Sequence, residues 1–245
     1  MTESTESVEQ KYIRIMDQVT ASAAHCGRSE HSVKLIVVTK GQPSEKMARA
    51  YAAGARLFGE NYPEETAGKL EALRSLSGIQ LHMIGHLQSR KAKIVSNEFQ
   101  YMHSIDRVSI AEKLDRELNA SGKKLPILLE MNVSGEDSKN GFPAWDQTAW
   151  ADLLPLVNEI ASYGSLVISG LMTMPPLSLD REAVRPYFKK LRDLRDYFAV
   201  QFPLQTWTEL SMGTSSDFET AIQEGATYIR VGTAIMGLRP PKPTN

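Results

Sequence analysis

KLIVVTKGQPSEKMARAYAAGARLFGE, residues 34–60, reads as strand, helix, strand. Leu35-Ile36-Val37-Val38 is a short apolar run of strand length, and Gly41 and Pro43 punctuate its end. Glu45–Ala53 follows with helical spacing, and Ala55–Glu60 is a second strand-length run. Two strands joined through a helix lie parallel, with a right-handed crossover. The turn after the first strand is Thr39-Lys40-Gly41-Gln42-Pro43, with no Gly-x-Gly-x-x-Gly to cradle a dinucleotide.

The same beat runs outward from this stretch. It predicts strands at Lys34–Lys40, Ala55–Glu60, Gln80–Gly85, Tyr101–Ile105, Pro126–Val133, Val167–Thr173, Trp207–Ser211 and Tyr228–Ala234. Helical patterns stand between them, among them Glu64–Ser75, Val108–Ser121, Trp150–Tyr163 and Arg181–Ala199. Eight such units in about 210 residues fit an α/β fold, a single (β/α)8 barrel of the TIM type, better than an open doubly wound sheet. Upstream, Val8, Tyr12, Ile15, Met16 and Val19 recur at helical spacing, and Gly27 is a stop signal. The expectation is one domain over residues 1–245, with an extra N-terminal helix at about 4–26 and the barrel at about 34–237.

Composition bounds the function. Of the 245 residues, 42% are hydrophobic and 23% charged, which supports a core and argues against disorder. The net charge of −1 argues against a nucleic-acid binder working through bulk positive charge. The single cysteine, Cys26, excludes an internal disulfide and a cysteine metal cage, and is expected to pack at a helix end. The polar start Met1–Gln10 has no signal-peptide core, and no apolar run approaches membrane length. A cytoplasmic protein, off the membrane, is expected.

Barrel enzymes and binding proteins keep their chemistry at the C-terminal ends of the strands, often with a phosphate between the loops after strands seven and eight. Gly213-Thr214-Ser215-Ser216-Asp217 stands there, and Gly232-Thr233 lies on the neighbouring strand. The segment can be an ordinary N-cap through Ser216 or Asp217, or a cup of amides and hydroxyls for an anion. Lys40 closes the first strand and can be a solvated charge or an amine for a phosphorylated aldehyde, of which pyridoxal phosphate is the common example. Arg230, inside an apolar strand, can pair with Glu209 or Glu60 or donate to a ligand. His82, His86 and His103 lack metal-ligand spacing, so no metal is expected. Arg90, Lys91 and Lys93 form a basic face, Lys139 sits in a turn with a possible rim contact, and the Met172/Met174 pair reads as core.

These segments carry a resemblance. Val37-Val38-Thr39-Lys40, Phe58-Gly59-Glu60-Asn61-Tyr62, His82-Met83-Ile84-Gly85-His86-Leu87-Gln88-Ser89-Arg90-Lys91, Ser104-Ile105-Asp106 and Ser134–Gly141 stand in order. Gly170–Pro175, Leu210-Ser211-Met212-Gly213 with Ser215 and Asp217, and Arg230–Gly237 follow. Over Lys34 to Gly237 the chain resembles the pyridoxal phosphate homeostasis proteins, the YggS or PROSC family. It departs from that pattern at Glu64, His86, Arg90 and Thr214.

The resemblance implies a barrel like the N-terminal domain of alanine racemase, the third fold type of pyridoxal phosphate (PLP) proteins. It implies PLP as cofactor, held as a Schiff base on Lys40. It implies phosphate binding by Ser215 and the Gly232-Thr233 amides, with Ser211, Met212 and Gly213 lining the cup. Arg230 would face the pyridine nitrogen and Asn61 would lie near the ring. The function so implied is PLP homeostasis without robust turnover, with PLP-dependent apo-enzymes as candidate recipients and no catalytic residue assigned. The alternative is a PLP-dependent amino-acid racemase. Such racemases carry a second β-rich domain and a second acid/base tyrosine, whereas eight residues, Leu238 to Asn245, follow Gly237 here.

Overall fold

The computed structural model describes residues 6–73, 75–178 and 180–240. Nine strands run in the order β1 (Lys34–Val38), β2 (Leu57–Glu60), β3 (Gln80–Met83), β4 (Tyr101–Ile105), β5 (Leu125–Asn132), β6 (Phe142–Pro143), β7 (Leu166–Met172), β8 (Glu209–Ser211) and β9 (Tyr228–Val231). The hydrogen-bonded order is β4-β3-β2-β1-β9-β8-β7-β5-β6, and β4 also pairs with β5, which closes eight of them into a ring. All pairings are parallel. The two-residue β6 hangs outside the ring on β5 and was not foreseen.

The helices α2 (Ser44–Ala52), α3 (Thr66–Leu73), α4 (Ala92–Glu98), α5 (Val108–Asn119), α6 (Leu154–Ala161), α7 (Arg185–Gln201) and α8 (Phe218–Gln223) lie between the strands. The eight expected strands are all present: the fourth matches its expected bounds, the fifth and sixth are shifted back by one residue, and the others are shorter than expected. Lys40 lies two residues beyond β1, and Gly232 leaves β9 for a one-turn helix, α9 (Thr233–Met236), where strand was expected. The upstream helix is α1 (Val8–His25), started by a capping box: Gln10 N donates to Ser7 Oγ and Ser7 N donates to Gln10 Oε1. The expected residues 4 and 5 of this helix lie outside the described residues. Val8, Tyr12, Ile15, Val19 and Ala23 are buried, and α1 packs on α2, α8 and α9. With only one turn after β9, α1 fills the gap in the helical ring. Cys26, expected to pack, is exposed at the C-cap of α1, because the chain turns away at Gly27.

The pleat divides the strand residues into two layers. Val37, Phe58, Met83, Met102, Leu129, Leu171 and Leu210 face the helices. The inside of the barrel is filled from the bottom by rings. His82 stacks on Tyr101 with centroids 5.4 Å apart, and His103 meets Tyr228 edge-on at 5.0 Å. Lys34 lies over the Tyr228 ring and pairs with Glu209 at 2.7 Å, closing the floor. Among the described residues no helix is long and apolar enough to cross a membrane.

Candidate functional site

Above the ring layer, at the C-terminal ends of the strands, the barrel opens into a cavity of about 590 Å³. Its wall includes Lys40, Asn61, Ser215, Arg230, Gly232 and Thr233, six of the nine residues expected for a cofactor. Alternation explains Lys40. Val38 lines the cavity, Val37 and Thr39 face outward, and Lys40 returns to the inside. Its amine makes no hydrogen bond to any described residue. Burial pulls its pKa below the usual lysine range, helped by the nearby charges of Arg239 and Arg230, with Glu60 opposing.

The loop after β8 forms a donor-rich end. Asp217 Oδ1 accepts from Thr214 N at 2.5 Å and from Thr214 Oγ1 at 3.0 Å, so the carboxylate folds the loop rather than capping α8. Thr214 Oγ1 and Ser216 Oγ lie 3.3 Å apart, and Ala234 N reaches Ser215 Oγ at 3.5 Å, tying the two loops together. The N-cap alternative therefore fails for Asp217's side chain, and the Thr214, Ser215, Ser216 and Thr233 hydroxyls gather at one wall.

Ser211, Met212 and Gly213 do not line the cavity. They are buried beneath it: Met212 N donates to Tyr228 O, and Arg230 N donates to Gly213 O. The strand end that carries them belongs to the barrel wall, so their place in the cup is corrected to support from below. Ser211 Oγ accepts from Arg230 Nη1 and contacts His103 Nδ1 at 2.9 Å, and His103 Nε2 lies 2.8 Å from His82 Nδ1. Burial holds both imidazoles neutral, His82 down to about 3. Arg230 Nη2 donates to Thr173 O at 2.8 Å and to Met174 Sδ at 2.9 Å. Neither expected carboxylate meets it, since Glu209 pairs with Lys34 and Glu60 with Lys69. Burial lowers Arg230 to about 10, which leaves it charged at neutral pH. Met174, read as core, instead lines the cavity.

Glu130 was missed. It lies inside an apolar strand, in the cavity wall, buried and without a hydrogen bond to a described residue. Burial, with the Asp106 carboxylate as a second cause, pushes it up to about 7 against the pull of Arg230. A carboxyl whose folded pKa is raised contributes stability below its unfolded value and loses it as pH rises through the folded one. The ligand-free wild type should therefore lose about 3 kcal/mol relative to Glu130→Gln between pH 4 and 8, measured by urea unfolding. Parallel stabilities across that range would contradict the assignment. His86 was also set aside; it lines the cavity and bonds Asp106 Oδ2 at 2.5 Å, and Asp106 Oδ1 accepts from Arg107 at 2.6 Å. Two members of the basic face are paired, Lys91 with Glu64 and Arg90 with Gln88.

The wall suits a phosphorylated ring aldehyde. It offers hydroxyl donors at one end, an unpaired amine with lowered basicity, and a buried guanidinium below. Asn61 Oδ1, in the same wall, is buried with no partner. Asn61 is packed against Gly85, where an added Cβ would sit 2.7 Å from Asn61 Cα. Among the described residues no group of His, Cys, Asp and Glu gathers to hold a metal.

The family described as alanine racemase, N-terminal domain, matches residues 15–240. A Vibrio alginolyticus pyridoxal phosphate homeostasis protein is 36% identical over 237 residues, 95% of this chain and 98% of its own. This chain belongs to the pyridoxal phosphate homeostasis family. Its Escherichia coli K12 relative of the same name is 37% identical, covering 92% of this chain and 94% of that protein. PipY of Synechococcus elongatus PCC7942, solved with PLP bound, superposes with a TM-score of 0.82 at 32% identity, over 94% of this chain and all of PipY. An alanine racemase of Clostridium difficile 630 superposes at 0.66 with 12% identity, over 93% of this chain and 56% of the racemase, a likeness of fold. In this homeostasis-family barrel the expected α/β architecture holds.

Proposed function

We propose that this chain binds pyridoxal 5′-phosphate reversibly, as a Schiff base on Lys40, and takes part in keeping the intracellular pool of that cofactor without robust turnover of its own. The observation that carries this reading is one cavity holding a lysine amine of lowered basicity, without a hydrogen bond to a described residue, and a cluster of hydroxyl donors. The family relatives named for PLP homeostasis and the PLP-bound PipY support it. When bound, the cofactor supplies an aldehyde that condenses reversibly with amines and a ring that accepts electrons.

The residues divide the work. Ser215 and Thr214, with Gly232 and Thr233, would hold the phosphate, and Asn61 would meet the ring. Arg230 would face the pyridine nitrogen, where a fixed positive charge disfavours a proton. Ser211 holds Arg230 in place through its hydroxyl. A charge-assisted hydrogen bond contributes about 1.5–3 kcal/mol, so Ser215→Ala should weaken PLP binding roughly ten- to a hundredfold. Lys139→Ala should cost far less, because Lys139 Nζ rests on Pro175 O at 3.4 Å. Equal affinities for wild type and Ser215→Ala in a fluorescence titration would contradict the cup.

A racemase needs a proton removed on one face of the substrate carbon and returned on the other. Among the described residues no tyrosine lines the cavity, and Tyr62 stands 46% exposed at the start of a 3-10 turn. A cavity that opens at the strand ends suits exchange of cofactor with PLP-dependent apo-enzymes, in the cytoplasm, better than protected carbanion chemistry. The loaded protein should activate an added apo-enzyme and yield no D-isomers from single L-amino acids by chiral chromatography. A turnover near about 10 per second, lost in Lys40→Ala, would favour the racemase.

A further inference from the structure

Among the described residues the Lys40 side chain has no hydrogen-bond partner, so the aim of its amine depends on its backbone. That backbone is gripped on both sides from one short segment. Lys69 Nζ, on α3, donates to the Thr39 carbonyl at 2.7 Å and to Glu60 Oε1 at 2.6 Å. Thr39 Oγ1 donates to the same carboxylate oxygen at 2.6 Å. On the far side of Lys40, Gly41 N donates to Glu65 Oε2 at 2.9 Å, and Glu65 lies 3.8 Å from Lys69 Nζ. Gly41 takes a φ of +63°, so the turn reverses immediately after the lysine.

We infer that Glu60, Glu65 and Lys69 form a clasp that positions Lys40 for attachment of a phosphorylated aldehyde. This inference rests on the proposed binding of PLP at Lys40. The clasp lies outside the cavity: Gly59 faces inward against Ile36 and Ile84, and Glu60, one residue on, points to the helix layer. Its members are therefore positioning residues that act through the Thr39 carbonyl and the Gly41 amide. The site is costly to build. Glu60 is fully buried with its Oε2 unpartnered, and Lys69 is 13% exposed at its side chain. An apolar pair could fill this space at a lower desolvation cost. What the ionic pair supplies is direction, a cation aimed at the carbonyl that precedes the reacting lysine. Holding an amine in its attack geometry favours the bound adduct and its rate of formation.

The test compares two probes, PLP and pyridoxine 5′-phosphate, which keeps ring and phosphate but carries an alcohol in place of the aldehyde. Affinities for both, and the rate of borohydride-trapped adduct at Lys40, are measured in Lys69→Met, Lys69→Arg and Glu65→Ala. Lys69→Met should lose about tenfold in PLP affinity and trapping rate and keep pyridoxine phosphate affinity within about twofold. Lys69→Arg, which keeps the cation, should recover most of that loss. Glu65→Ala changes a partly exposed side chain, so it keeps the fold and should lose about threefold with the same selectivity. If Lys69→Met does not fold, Glu65→Ala decides alone. Equal losses for both probes, or no loss for PLP, would overturn the clasp. A wild type that binds pyridoxine phosphate yet traps no PLP on Lys40 would overturn the binding reading itself, and the clasp with it.

Discussion

Lys40→Ala should abolish the borohydride-reducible adduct completely. Of the two described lysines that line the cavity, Lys40 and Lys139, Lys40 is the one just beyond β1, close enough to Arg230 and Arg239 to feel both charges. Lowered basicity leaves more of it neutral near pH 7 than an ordinary lysine with a pKa of about 10.4, and the neutral amine is the form that attacks an aldehyde. The variant keeps its phosphate donors, so it should still bind PLP, now weakly and reversibly, and lose it on dialysis. Its absorption spectrum should be that of the free aldehyde. In the wild type, the rate of adduct formation should rise with pH and level off at a midpoint below the usual lysine value. A full adduct in Lys40→Ala, or a midpoint at the ordinary value, would contradict the assignment.

Gly213→Ala should be the most damaging single change at the cup. Gly213 has a φ of +94°, and an added Cβ would sit 2.6 Å from Ala221 Cβ and 3.0 Å from Phe218 Cα. Strained backbone costs about 1–3 kcal/mol and overpacking about 1–3 more. The sum, about 2–6 kcal/mol, is a large part of the stability of a typical domain, about 5–15 kcal/mol. The chain can relieve the clash only by pushing α8 outward, and the Thr214–Ser216 donors go with it. Urea unfolding should show the loss, and phosphate-dependent stabilisation should vanish in the same variant. Wild-type stability with wild-type phosphate binding would show that the loop tolerates a side chain there.

The barrel was legible because parallel strands in a closed ring are nearly all apolar, and each is set off by Gly, Pro, Asn or Ser. Lys40 and Arg230 stand out because they end or interrupt such runs, and Ser215 because it belongs to a small, hydroxyl-rich loop before a helix. The limits of that reading are also physical. Five of the eight strand ends fall one to three residues short of the expected ones, since the strand-like pattern continues past the last ladder bond, as at Thr39-Lys40 and Gly232-Thr233, while the ends at Glu60, Ile105 and Ser211 coincide. Whether a residue at a strand end faces the cavity or the wall depends on pleat and register, which put Ser211 below Arg230 and Glu60 toward α3. Glu130 gave a signal, a lone carboxylate inside Leu128-Leu129-Glu130-Met131, of the same kind that drew attention to Arg230. The clasp could not be found by spacing alone, because Lys69 and Thr39 are 30 residues apart and meet only through the fold.

Arg230 and the hydroxyl cup line the same cavity as Lys40, and the clasp holds the backbone on either side of it, so the chemical state of the Lys40 nitrogen is the decisive observable. Loaded protein, reduced with borohydride, digested and mapped by mass spectrometry, should carry the phosphopyridoxyl group on the peptide containing Lys40. A label found chiefly on Lys91, Lys139 or another lysine would contradict it.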